Sequence, residues 1–231
     1  MKNILTRGGI EFLAVLLGIS GSLWLEDNKE IKQTNYQINR SLNALNESLN
    51  SDKKSLEIYI LEHEEKVRHF DFIQNSDSVK FSSNDRLKLA FEQTTTPSWI
   101  NRSIDRTIFN AMESSGLIYK INDDSLRNSI LKVFQNSYST LIEISDYDLH
   151  TIQEMDKIVL SDFVMSKNSI MWNLNYNHSS TRNNIVNNQI FQNYLAANKS
   201  TKSILFNECN NVLNDVNYLL DKIDKELSIS S

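Results

Sequence analysis

His63 and His69 bracket Glu64, Glu65 and Arg68 in one short stretch of chain. On a helix, His and Glu side chains three or four residues apart share a face, and two such pairs from facing helices can hold a metal ion. A second helix would have to bring up a partner such as Asp148, His150 or Glu154. The chain has no repeated Glu-x-x-His pair, so a solvated helix surface is the simpler expectation for both histidines. Phosphate loop, nucleophile elbow and Cys–His arrangement are all missing from the sequence. No catalytic, cofactor-binding or metal-binding residue is therefore expected, and no cofactor.

Three further side chains invite a chemical role. Glu11 is a carboxylate in an apolar run, the type of group that carries protons or ions in membrane helices. It falls near the beginning of that run, four residues after Arg7, so a pair with Arg7 near the headgroups is expected and an ion-pathway subunit is only the third function considered. Arg127 belongs to the first turn of a predicted helix, where positive charge opposes the helix dipole. It should therefore have a partner, Glu113 or Asp123 as a salt bridge, with a ligand carboxylate as the alternative. Cys209 is the single cysteine and falls on a core-facing position, which makes it a small apolar packing residue.

Positioning these residues falls to helices. Of 231 residues only five are Gly and one is Pro, too few to supply the turns that β structure needs every ten positions or so. The net charge of -5, with Lys and Arg scattered among acids, excludes a basic stripe for nucleic acid.

Residues 10–25 read IEFLAVLLGISGSLWL, apolar or small except for Glu11, with Lys2 and Arg7 in front and Glu26 and Asp27 behind. About 20 residues span a bilayer, which residues 4–25 supply if Arg7 and Glu11 are tolerated. A cleaved signal peptide would need a small-x-small site, and this run ends in Leu23, Trp24, Leu25 and Glu26 instead. The expectation is a membrane anchor over residues 1–25, with the short N-terminus in the cytoplasm by the positive-inside tendency. Residues 26–231 would then form a helical-bundle domain, placed in the periplasm of a bacterial inner membrane.

Apolar residues recur at Ile31, Ile38, Leu42, Leu45, Leu49, Leu56, Ile60, Val67 and Phe70, a heptad-like seam interrupted by Asp52 and His63. The membrane helix should run on to about residue 73. A polar loop over 75–83 and a short helix over 84–94 come next. Thr96 and Pro97 form an N-cap and first-turn pair opening a helix to Ser115, with Asn101 on its polar face and Gly116 as a left-handed stop. A second stripe runs from Leu126 through Leu141, Ile144, Ile152 and Met155 to Phe163, followed by a polar run over 173–184. A third runs through Leu195, Leu205, Cys209, Val212, Val216, Leu219, Ile223 and Leu227. The fold class read from this pattern is all-α: one N-terminal transmembrane helix continuing into an elongated bundle of three long helices, capped by two short ones at the end far from the membrane.

Two stretches resemble an uncharacterised bacterial family of single-pass membrane proteins with a domain of unknown function. One is the run from Glu11 through Phe12, Leu13, Ala14, Val15, Leu16 and Leu17 to Gly18 and Ile19. The other is Ala111, Met112, Glu113, Ser114, Ser115, Gly116, Leu117 and Ile118, followed by Asp124, Ser125, Leu126, Arg127 and Asn128. Trp24 departs from that family's pattern, in which a Trp falls just past the membrane helix. The resemblance implies topology and fold and carries no activity.

The expected function is a membrane-tethered, non-enzymatic scaffold or sensor subunit that presents its bundle to a membrane-protein partner or a second copy. Gly18, Gly21 and Ser22 would let membrane helices pack closely. A sensory bundle that holds a small anion between its helices is the alternative, and a metal-binding bundle enzyme ranks behind it.

Overall fold

The computed structural model describes the backbone of residues 2–77, 84–98, 100, 103–165 and 174–229, with side chains from residue 16 onward except 21 and 23. Residues 26–74 contain neither Gly nor Pro, and the chain there stays in one unbroken helix, α1 (Lys2–Gln74). Its 73 residues make a rod of about 110 Å at 1.5 Å per residue. Helix α2 (Asp85–Thr94) begins where the Asn84 side chain accepts from the Arg86 amide. Then come α3 (Thr107–Ser114), a 3-10 turn (Ile118–Lys120) and α4 (Asp124–Leu131), capped by Asp123. A π-helical turn (Lys132–Ser137) leads without a break into α5 (Tyr138–Asp162). Helix α6 (Ser179–Asn187) opens on a His178 cap, and α7 (Gln189–Ile229) closes the described chain. Among the described residues only one antiparallel bridge, Met165 to Leu174, is not helical pairing or turn.

The three long stripes pack on one another as expected. Leu42, Leu45, Leu49 and Leu56 of α1 are fully buried with Leu126, Ile130 and Leu141 of the α4–α5 rod and Leu205, Cys209, Val212, Val216, Leu219 and Ile223 of α7. Each such side chain contributes about 1.5–3 kcal/mol. A second cluster gathers Phe70, Leu87, Phe91, Met155, Phe191 and Leu195 at the far end.

The path between α2 and α4 differs from expectation. Thr96 and Pro97 do not open an α-helix: the Thr96 hydroxyl donates back to the Glu92 carbonyl at the end of α2, and among the described residues the next α-helix starts at Thr107. Pro97 acts as a residue that cannot continue the helix before it. Asn101, expected on a polar helix face, lies outside the described residues. The chain then descends beside α1 instead of capping the far end. Tyr59 meets Ser103, Asp52 accepts from the Asp105 amide, and Phe109, Met112, Ile118 and Ile121 join the cluster around Leu42 and Leu56. The bundle therefore has four positions, up, down, up and down, with the second filled by an irregular segment. Only α2 and α6 sit at the far end. Helix α6 also corrects the polar run, because His178 caps residues expected to be loop and Asn188 separates α6 from α7.

The π turn was not anticipated either. Within it Phe134 stacks on Phe109 with centroids 4.6 Å apart, and Tyr138, one turn on, points its hydroxyl at Asp52 (2.8 Å). Gly116 has φ +73, ends the turn after α3 and donates its amide to the Glu113 carbonyl.

Candidate functional site

Between the two apolar clusters the bundle is crossed by a layer of buried polar side chains. Each long helix interrupts its stripe there, one heptad beyond a fully buried leucine: His63 after Leu56, Asp148 after Leu141, Lys202 after Leu195. All three are completely buried. The irregular segment supplies the fourth side through Thr96 and Ser98.

Lys202 matches each of its three N–H donors with an acceptor. Its ammonium lies 2.6 Å from Asp148 Oδ2, 3.0 Å from Ser98 Oγ and 3.2 Å from the Thr96 carbonyl. Asp148 Oδ2 also accepts from the Ser98 amide at 2.9 Å, and the Ser145 hydroxyl donates to the Ser98 carbonyl at 2.8 Å. His63 completes the network: Nδ1 lies 2.5 Å from the Tyr59 carbonyl and Nε2 lies 2.8 Å from Ser98 Oγ. Burial pushes the His63 imidazole down to about 4. The ring is therefore neutral at pH 7, with its proton on Nδ1, and the Ser98 hydroxyl donates to Nε2. Burial likewise lowers Lys202, to about 8, against the opposing pull of Asp148. Lys66, on the same side of α1, donates to the same Thr96 carbonyl at 3.2 Å and is also depressed by burial.

Chemically this layer ties α1, α5, α7 and the Thr96–Ser98 corner at one level. The Ser98–His63 contact has the form of a nucleophile and base, but Ser98 is 4% exposed and its oxygen already receives a proton from Lys202. Asp148 Oδ1 and both side-chain atoms of Asn198, one turn from Lys202, have no hydrogen-bond partner in the described structure. Nearer the N-terminal end of the bundle's α1 seam, Asp52 forms a second buried polar point with Tyr138 and the Asp105 amide, and burial raises its carboxyl to about 6.

The expected metal candidates are dispersed. His63 is not on a solvated surface as expected, because Ser98 and the Tyr59 carbonyl satisfy it inside the bundle. Asp148 is brought to its level but is taken up by Lys202. His69 lies 3.7 Å from Glu65, His150 is exposed, and Glu154 pairs with Lys157 at 2.5 Å. Arg127 pairs with Asp124 at 2.6 Å and donates to the Ile121 carbonyl, not to either expected partner. Asp123 is occupied as the α4 cap, accepting from the Ser125 and Leu126 amides, and Glu113 accepts from Gln135. Cys209 is fully buried, and burial pushes its thiol up to about 12.

The sequence reading missed Lys66, Ser98, Asn198 and Lys202. A signal for Lys202 was available: a charged residue on an apolar seam at heptad spacing between Leu195 and Cys209. Ser98 and Lys66 had none, since they are recruited by the corner after α2.

Among the described residues no helix is long and apolar enough to cross a membrane. The segment expected to do so is α-helical, but the Glu11 side chain, like all those of residues 1–15, lies outside the described residues. Gly18 has open space where a Cβ would stand, its carbonyl accepts from the Ser22 hydroxyl, and Trp24 is exposed. No family model matches the chain, and no curated protein or solved structure is similar to it.

Proposed function

We propose that the chain is a membrane-tethered, non-enzymatic scaffold or sensor subunit of a bacterial inner membrane. Residues 1–25 are its anchor, and residues 26–231 are the periplasmic bundle that meets a membrane-protein partner or a second copy. The observation that carries this is the reach of α1 beyond the bundle. Core packing begins at Ile38, yet the helix extends back to Lys2, and Leu16, Leu17, Ile19, Trp24 and Leu25 are all exposed along it. So many uncovered apolar side chains on one helix are costly in water and call for an apolar surrounding. The two sequence landmarks that resemble a single-pass family support the same topology. The closed hydrogen bonding around Ser98 supports a structural role for the polar layer.

The test is flotation of the full chain with liposomes, followed by alkaline carbonate extraction. The wild type should float and resist extraction. A variant with Leu13, Leu16 and Leu17 all changed to Glu should stay at the bottom of the gradient. A wild-type chain that remains soluble in both steps overturns the anchor.

A further inference from the structure

We propose that the groove over Lys66, outside the polar layer, binds a free α-amino acid, with the ligand carboxylate on the Lys66 ammonium and the ligand amino group on Glu62 and Glu65. This reading does not depend on the membrane anchor.

The argument begins with charge. The layer buries two lysines, one aspartate and a neutral histidine, so its cations outnumber its anions. Lys202 takes Asp148 at 2.6 Å, whereas Lys66 has no carboxylate within 4.0 Å among the described residues. The one hydrogen bond from its ammonium goes to a carbonyl that Lys202 also uses. Lys66 is nonetheless 6% exposed, and a buried ammonium with so little compensation is stabilised by an arriving carboxylate.

The groove is the route by which one can arrive. It measures about 460 Å³, and Lys66 lines it together with Tyr59, Glu62, Glu65 and Gln93. That volume lies at the small end of ligand sites and suits a molecule of amino-acid size. The lining also selects. Two carboxylates beside one ammonium repel phosphate and dicarboxylates and attract an amine. Glu65 keeps its loose contact with His69 at 3.7 Å and remains 64% exposed, so it is available to a ligand. The Gln93 amide can receive or donate to a ligand side chain. A monocarboxylate satisfies only Lys66, and an amine only the glutamates, so a molecule carrying both groups binds best.

The test is calorimetric titration of the full chain in detergent micelles, with L-glutamine and L-lysine as probes and acetate, ethylamine and inorganic phosphate as controls. Both amino acids should bind saturably, with each control weaker by at least about tenfold. Lys66→Met should weaken both amino acids by a similar factor. Because Lys66→Met touches the buried layer, the exposed double variant Glu62→Gln/Glu65→Gln is the companion. It should keep the wild-type circular dichroism and melt while losing discrimination between glutamine and acetate. Absence of saturable binding by either probe overturns the proposal. So does unchanged affinity in the glutamate variant, or tighter binding of phosphate than of glutamine. A chain that binds glutamine but fails to float with liposomes removes the anchor and leaves this site standing, and the reverse result removes this site alone.

Discussion

Asp52 and Asp148 are both fully buried carboxylates on seams that are otherwise apolar, yet the bundle treats them in opposite ways. Asp52 meets only neutral donors, the Tyr138 hydroxyl and the Asp105 amide, inside the cluster around Leu49 and Leu56. Burial therefore wins, and its carboxyl rises to about 6. Asp148 meets the Lys202 ammonium and the Ser98 amide in a layer where other polar groups converge. The difference shows what each region is for. The Asp52 region is a hydrophobic core with one polar contact, whereas the Asp148 layer is a junction that fixes the level at which four segments cross. Apolar seams alone tolerate slippage by a heptad, and a buried polar match at one level disfavours it.

Breaking the junction should have the largest effect. Lys202→Met leaves Asp148 buried without its counter-charge and should destabilise the bundle by about 3–5 kcal/mol. The double variant Lys202→Met/Asp148→Leu removes both charges and should recover most of that loss. Urea melts of the two variants decide it. A single variant within about 1 kcal/mol of wild type would mean that the ion pair does not tie the helices together.

The pH dependence separates the two regions by sign. The folded state holds a proton on Asp52 up to about pH 6, whereas the unfolded chain releases it near 3.8. Folding takes up a proton in between, so this contribution to stability is lost as pH rises through that window. His63 works the other way. It stays neutral down to about 4 in the fold but protonates near 6.5 when unfolded, so its contribution is lost as pH falls. Each effect is on the order of 3 kcal/mol. Between about pH 4 and 6 the two oppose each other. Relative to wild type, Asp52→Asn should gain stability as pH rises across this window, and His63→Gln should lose it. Parallel curves for wild type and Asp52→Asn would show that Asp52 is not held protonated.

How legible these regions were follows from the same contrast. The apolar seams of α1, α5 and α7 are periodic in sequence, and their leucines fall where heptad spacing puts them, because burial of a continuous stripe is a local property of each helix. Asp52 and His63 were visible as interruptions of one seam, but an interruption reads as solvated surface until its partners are known. Those partners lie at separations of 86 residues for Tyr138 and 35 for Ser98. The descent after α2 was hidden for a different reason. Thr96 and Pro97 have the local form of a helix start, and the contacts of Lys66 and Lys202 with the Thr96 carbonyl and of Asp148 with the Ser98 amide hold this segment as a corner instead.

Gly116 belongs to the Asp52 side of the molecule and offers a smaller effect. An added Cβ would meet nothing within 4 Å, so any cost comes from φ +73 alone. Gly116→Ala should destabilise by about 1 kcal/mol, and Gly116→Val by somewhat more, because a branched side chain resists the left-handed region most. Equal stability of Gly116→Val and wild type in urea would mean that α3 ends by another geometry.

The smallest effect should come from Arg127, and it sharpens the comparison by showing what an ion pair contributes outside the buried layer. Its contact with Asp124 is as short as that of Lys202 with Asp148, 2.6 Å in both cases. The setting differs. The Asp124 side chain is 78% exposed, whereas both side chains of the buried pair are at 0%. Water and salt screen the exposed pair, and ordering two side chains offsets much of the attraction. Arg127 also donates to the Ile121 carbonyl and opposes the α4 dipole, two small effects of opposite sign. Arg127→Gln should therefore change stability by less than about 1 kcal/mol, and the difference should shrink further in molar salt. Lys202→Met should keep its full effect there, because salt does not reach the layer. A loss at Arg127 comparable to that at Lys202, or a loss at Lys202 that salt abolishes, would mean that distance and not burial sets the strength of these pairs.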